Sequence, residues 1–258
     1  MRIDVMRQVA DYLATAGIAS LRYDKRGVGA SEGDYRAAGF HDNVADARSA
    51  LRALRHRSEI DPSSVVIIGH SEGALIAAEL AREDDVAGVV LLAGAARTGE
   101  EVLEWQARQL ASTLPAPVRW LLRMLRQDVL KTQAKRLARI KASTDDVTRI
   151  NFIKLNARWF REFMAHDPAA SLAQATVPVL ALTGAKDIQV DPADVALMER
   201  IVPSPFAGRV PDGVTHLLRV ESGPATIRTY KKQARRPVDD GVLEIVADWI
   251  GSAARLTQ

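Results

Sequence analysis

One short segment limits the fold of this 258-residue chain more than any other. The β-branched run Ser64–Gly69 passes directly into Gly69–His70–Ser71–Glu72–Gly73, and helix-favouring sequence follows at once. The run "SVVIIG" is too short for a helix and is bounded by turn residues, so it reads as a buried strand. A G-x-S-x-G sequence between a strand and a helix is the arrangement of a nucleophile elbow, a tight turn that holds a serine hydroxyl above a strand end. The glycines at 69 and 73 are expected because side chains in so tight a turn would collide with the neighbouring elements.

The rest of the chain supplies a sheet for that elbow. Val5, Met6, Val9 and Leu13 lie on one helical face, and the helix stops at Gly17. Ile18–Asp24 reads as a buried strand, Asn43–Arg55 as a helix, Glu72–Ala81 as the helix after the elbow, and Val86–Gly94 as a strand. Val177–Gly184 is another strand, and Asp191–Pro192 reads as an N-cap and first helical position. Phe206–Pro211 is a weaker strand candidate, and Asp239–Ile250 is a terminal helix. Strands that alternate with helices and are apolar on both faces predict an α/β fold, a mostly parallel sheet flanked by helices.

Residues 97–175 interrupt the alternation. They hold three of the four tryptophans (Trp105, Trp120 and Trp159), no convincing strand, and Pro115 and Pro117 as helix dividers. They read as an inserted helical cap, which leaves residues 1–96 and 176–258 as the catalytic core. The cap also explains the sequence pI of about 9.3. It carries 14 Lys/Arg against 8 Asp/Glu, whereas the remainder holds 21 against 24. The densest part, from Arg119 to Lys141, interleaves its cations with leucines at helical spacing. A solvated helix face accounts for it, and so would a weak attraction for anionic substrates or lipids. No nucleic-acid motif accompanies it, so no nucleic-acid partner is expected.

A serine hydroxyl needs a base to take its proton and a carboxylate to orient that base. Behind an elbow, the carboxylate precedes the histidine in chain order. His41, His56 and His70 come too early and His166 lies within the insertion, which leaves His216. Asp187 follows a strand end on the edge where Ser71 sits, with Asp191 as the fallback. The backbone N–H of Glu72 is one expected donor to the oxyanion. His70, Trp105, Trp159, Phe160 and Phe163 are candidates for lining the substrate pocket, with core packing as the alternative for each aromatic. Gly27–Val28–Gly29 lacks the further glycine of a dinucleotide loop. The absence of cysteine excludes a thiol nucleophile and any Cys-ligated metal. No cofactor or metal is implied. The longest near-apolar run, Ala87–Ala96, is about half a bilayer span, and Arg2, Asp4, Arg7 and Asp11 spoil a signal-peptide core. A cytoplasmic location fits.

Five segments in this order carry a resemblance: "RYDKRGVGASEG" (Arg22–Gly33), "GHSEG", "WFREFMAHDP" (Trp159–Pro168), "VPVLALTGAKDIQV" (Val177–Val190) and "GVTHLL" (Gly213–Leu218). Together they resemble the α/β-hydrolase superfamily, and most closely its bacterial carboxylesterase-like branch with a helical cap. The resemblance implies ester hydrolysis of a small acyl substrate by Ser71, His216 and Asp187, with Asp24 and Arg26 as scaffold of a turn. Thioester or peptide hydrolysis by the same triad is an alternative, as is a ligand-binding protein without catalysis. In such relatives a further strand lies between those matching Ile18–Asp24 and Ser64–Gly69, and its loop gives the second oxyanion donor. Here the first helix begins almost at Met1, so that strand and loop are expected upstream of this sequence.

Overall fold

The computed structural model describes residues 3–83, 85–150 and 152–256. In chain order the described residues form α1 (Val5–Thr15), α2 (Phe40–Arg55), β1 (Val66–His70), α3 (Glu72–Glu83), β2 (Gly88–Leu92), α4 (Gly99–Ser112), α5 (Ala116–Met124) and α6 (Val129–Lys141). There follow β3 (Val147–Ile150), β4 (Ile153–Asn156), α7 (Ala157–Ala165), α8 (Pro168–Leu172), β5 (Val179–Leu182), α9 (Asp194–Ile201), β6 (Phe206–Arg209), α10 (Tyr230–Gln233) and α11 (Asp240–Leu256).

The four strands β1, β2, β5 and β6 pair in parallel in the order β1-β2-β5-β6. The fold is α/β, as the alternation predicts. Every residue of β2 and β5 is buried, because helices cover both faces. On one face α1 and α11 bring Val5, Val9, Leu13, Val242 and Val246 onto Val90, Leu92 and Leu180. On the other, α3, α8 and α9 bring Ala77, Ala78, Leu172, Val195 and Met198 onto Val89, Leu91 and Ala181. Full burial of each Leu or Val contributes roughly 1.5–3 kcal/mol, so this sandwich is the main source of stability.

Three expectations fail. Ile18–Asp24 forms no strand; it runs irregularly, with Leu21 and Tyr23 exposed. A strand needs a ladder partner, and the outer edge of β1 is separated from this segment by two cavities of about 260 and 290 Å³. Met6, Leu21, Leu54, Val66 and Ile68 line both. Among the described residues β1 is therefore an edge strand, and it is not paired with Ile18–Asp24. Second, the insertion is not wholly helical. β3 and β4 form an antiparallel hairpin, Val147 opposite Asn156 and Ile150 opposite Ile153. Third, Asp191 does not cap a helix. Its Oδ1 accepts from the N–H of Ala193, a local turn, and α9 opens only at Asp194.

The segment between β2 and β5 does not hold a core of its own. Val102, Leu103, Leu137, Ile140 and Phe163 share one apolar cluster with Phe40 and Val44 of α2 and Leu75, Ile76 and Leu80 of α3. Below it, the loop Asp24–Ser31 is a scaffold turn. Asp24 Oδ2 accepts from Ala30 N–H at 3.1 Å, and Arg26 makes a two-bond pair with Asp46. Gly29 has φ +59°, which favours glycine, and a Cβ there would displace the Asp24 carboxylate, whose Oδ2 would lie 2.1 Å away.

Candidate active site

Ser71, Asp187 and His216 follow the C-terminal ends of β1, β5 and β6, the side on which parallel sheets carry ligands. Ser71 has φ +57°, a left-handed conformation that costs a non-glycine residue about 1–2 kcal/mol. Its N–H donates to Leu92 O at 2.8 Å and its carbonyl accepts from Ala74 N–H at 2.9 Å, which holds the strained turn in place. A Cβ on Gly69 would sit 1.9 Å from Gly73 O, so that glycine is obligatory. Gly73 faces open space, contrary to the expected collision.

The three side chains form a continuous chain of hydrogen bonds. His216 Nε2 lies 3.1 Å from Ser71 Oγ, and His216 Nδ1 lies 2.8 Å from Asp187 Oδ2. The carboxylate is fully buried and its Oδ1 accepts from the N–H groups of Gln189 and Val190 at 2.7 and 3.0 Å. Those two bonds fix its plane, so Oδ2 is aimed at the imidazole. Asp191, the fallback, instead pairs with Arg97, as does Asp194.

His216 rides on a loop that is tied at several points. Val214 bridges Val220, Thr215 N–H donates to Arg219 O at 3.0 Å, and Leu218 N–H donates to Thr215 O at 2.8 Å. Arg219 is 1% exposed, and its guanidinium donates to the carbonyls of Ile3, Leu217 and Arg236. Burial pushes its pKa down. Thr215 Oγ1 donates to Gln233 Oε1 at 2.7 Å, and Gln233 is itself fully buried. The ties to Gln233, Arg236 and Ile3 join residues distant in the chain, so nothing local in the sequence announces them.

His70, expected beside the substrate, has its Nε2 at 2.8 Å from the carbonyl of His216, to which it donates. Burial first, and the neighbouring His216 second, push its pKa down to about 4. It is thus a neutral strut for the loop that carries His216.

Glu72 opens α3, so its N–H stands at the positive end of a helix, next to Ser71. Its side chain was not singled out in the sequence, yet it is a hub. It accepts from Lys25 Nζ, from Asn43 Nδ2 at 2.8 Å and from Trp159 Nε1 at 2.7 Å. The elbow is thereby joined to the Asp24 turn, to α2 and to α7. A cavity of about 270 Å³ beside it is lined by Lys25, Arg36, Lys154, Trp159 and Phe160, among others. Phe163 is buried behind them, stacked on Trp159 at 4.7 Å. Trp105 is half-buried on α4 and does not line this cavity. Among the described residues no cluster of three or more His, Asp or Glu could hold a metal, and no helix is long and apolar enough to cross a membrane.

The family described as Hydrolase_4, serine aminopeptidase S33, matches residues 2–223. Esterase EstD of Thermotoga maritima is 28% identical over 253 residues, covering 95% of this chain and 56% of that protein. The chain thus spans little more than half the length of that curated relative. Among solved structures, Est1E of Butyrivibrio proteoclasticus with ferulic acid bound superposes with a TM-score of 0.61 at 16% identity, covering 95% of this chain and 80% of that one. The α/β hydrolase GrgF of Penicillium sp. sh18 superposes with a TM-score of 0.64 at 15% identity, covering 99% and 87%. Both likenesses are to the fold.

Proposed function

Because the chain belongs to the serine aminopeptidase S33 family of α/β hydrolases, we propose that it hydrolyses carboxylic esters through an acyl-enzyme on Ser71. The observation that carries the reading is the pair of contacts His216 Nε2–Ser71 Oγ at 3.1 Å and His216 Nδ1–Asp187 Oδ2 at 2.8 Å. With Nδ1 donating to the carboxylate, Nε2 is left as the acceptor facing the hydroxyl. Ser71 Oγ attacks the acyl carbon as its proton passes to Nε2. The tetrahedral oxyanion receives the N–H of Glu72 at the start of α3. The intermediate collapses, and Nε2–H protonates the departing alkoxide. Water then attacks the acyl-enzyme with His216 again as base, releasing the acid and restoring Ser71.

Residues 97–175 serve as the cap over this site, and Trp159 and Phe160 border the cavity beside Glu72, the residue that follows the nucleophile. Peptide hydrolysis is the second reading, because the family description names an aminopeptidase. An aminopeptidase must bind a free amine, for which a carboxylate is needed. The one carboxylate lining this cavity, Glu72, already accepts from three donors, Lys25 among them, whereas Arg36 and Lys154 leave the lining net basic. That balance supports neutral or anionic acyl substrates. Assay of p-nitrophenyl acetate against an aminoacyl p-nitroanilide tests the choice. Ester turnover that disappears in Ser71→Ala is expected, and preferential release of nitroaniline would overturn the ester reading.

A further inference from the structure

Helix α5 departs from the rule that governs the other long helices. It buries no residue at all. Val118, Trp120, Leu121, Met124 and Leu125 are between 38% and 64% exposed. Val118, Leu121, Leu122 and Leu125 fall on one side at spacings of three and four, and Arg119 and Arg123 form a stripe on the other. Trp120 and Met124 lie between the two. Only Leu122 is half-buried, against a groove of about 660 Å³ between α4, α5 and α6. Ile150 also lines the groove, and the turn after it presents Phe152 fully to solvent.

The charge around this apolar face has one sign. Residues 116–141 hold eight Lys/Arg and a single carboxylate, Asp128. Asp128 is occupied as the N-cap of α6, accepting from the N–H groups of Leu130 and Lys131. Of the eight cations, Lys141 pairs with Glu100; the other seven make no ion pair among the described residues.

These two facts select the partner. A second copy docking on this face by a two-fold axis would set cations against cations. A nucleic acid would engage the cations and leave Trp120, Leu121, Met124 and Leu125 in water. A surface that accepts both, apolar below and anionic above, is a bilayer rich in anionic lipid. We propose that α5 docks this protein on anionic lipid surfaces, its apolar residues in the headgroup boundary and its arginines over the phosphates. The claim is independent of the ester reading, since docking needs no nucleophile.

Cosedimentation with vesicles tests it, using phosphatidylcholine alone and with about 30% phosphatidylglycerol, in salt of about 0.1 and 1 M. Binding is expected only to the anionic vesicles and weaker at high salt. A blue shift in tryptophan emission should accompany it and vanish in Trp120→Phe. The double variant Arg119→Gln/Arg123→Gln should bind about thirtyfold more weakly. Leu121→Ser/Leu125→Ser should lose at least about tenfold. Both pairs are exposed, so unchanged thermal melting by circular dichroism separates lost docking from lost folding. Failure to sediment with anionic vesicles, or equal binding by the folded variants, overturns the proposal. So does a dimer in sedimentation velocity that Leu121→Ser/Leu125→Ser converts to monomer, which would assign the face to a second copy.

Discussion

The loop that carries His216 and the helix α5 are built on opposite terms. Around the loop, the groups that hold His216 in place each have partners: Asp187 two N–H groups, Thr215 the side chain of Gln233, Arg219 three carbonyls, and the His216 carbonyl the ring of His70. Helix α5 buries nothing and leaves its arginines without ion pairs among the described residues. Catalysis by a triad tolerates little displacement, so its supports are over-determined. A surface that meets partners gains from exposed apolar and charged groups that folding has not used. The contrast fits the two proposals, hydrolysis at Ser71 and lipid contact at α5.

Four changes test this difference between the two regions, and the largest effect belongs to Asp187→Asn. The amide can keep Oδ1 on the N–H groups of Gln189 and Val190, which turns its NH2 toward His216 Nδ1. Nδ1 must then accept, Nε2 holds the proton, and the base is lost. Ester kcat should fall about 10⁴-fold at neutral pH with the fold intact. Steady-state kinetics beside circular dichroism would check it, and a loss under tenfold would mean that Asp187 does not orient the base.

Next is Arg219→Met, which leaves the carbonyls of Ile3, Leu217 and Arg236 without their buried donor. A loss of about 3 kcal/mol in urea unfolding is expected. On α5, Met124→Ser should change stability by less than about 0.5 kcal/mol. Equal costs at the two positions would erase the contrast.

A pH series sharpens it further. His70 is held neutral down to about pH 4 in the fold, whereas an unfolded chain protonates it near 6.5. Between these values the unfolded state binds more protons, so the stabilisation is complete above about pH 6.5 and is lost as pH falls toward 4. The loss amounts to at most about 3 kcal/mol. His166, also pushed down by burial, acts in the same direction. Unfolding midpoints measured from pH 7 to 5 should fall, and His70→Asn should flatten part of that slope.

What the sequence made legible follows the range of the forces involved. The elbow is local: six residues of strand, a five-residue motif and a helix start are contiguous, so Ser71 and the helix behind it could be read directly. Asp187 and His216 could be placed because each follows a strand end, and chain order did the rest. Ile18–Asp24 has the apolar run of a strand but forms none, because such a run becomes a strand only against a ladder partner and its neighbour here is a cavity. The β3–β4 hairpin has a sequence signal of its own, since Val147, Thr148, Ile150 and Ile153 supply β-branched density around a short turn. The Glu72 hub and the Arg219 anchor depend on partners as distant as Trp159 and Ile3, and no local signal announces them.

The proposed function stands or falls on Ser71 as the nucleophile. Treatment with a fluorophosphonate probe, followed by peptide mass mapping, tests it most directly. One adduct is expected, on the peptide containing Ser71, absent in Ser71→Ala and strongly slowed in His216→Ala. Labelling that persists in Ser71→Ala, or a folded protein that takes up no probe, would contradict it.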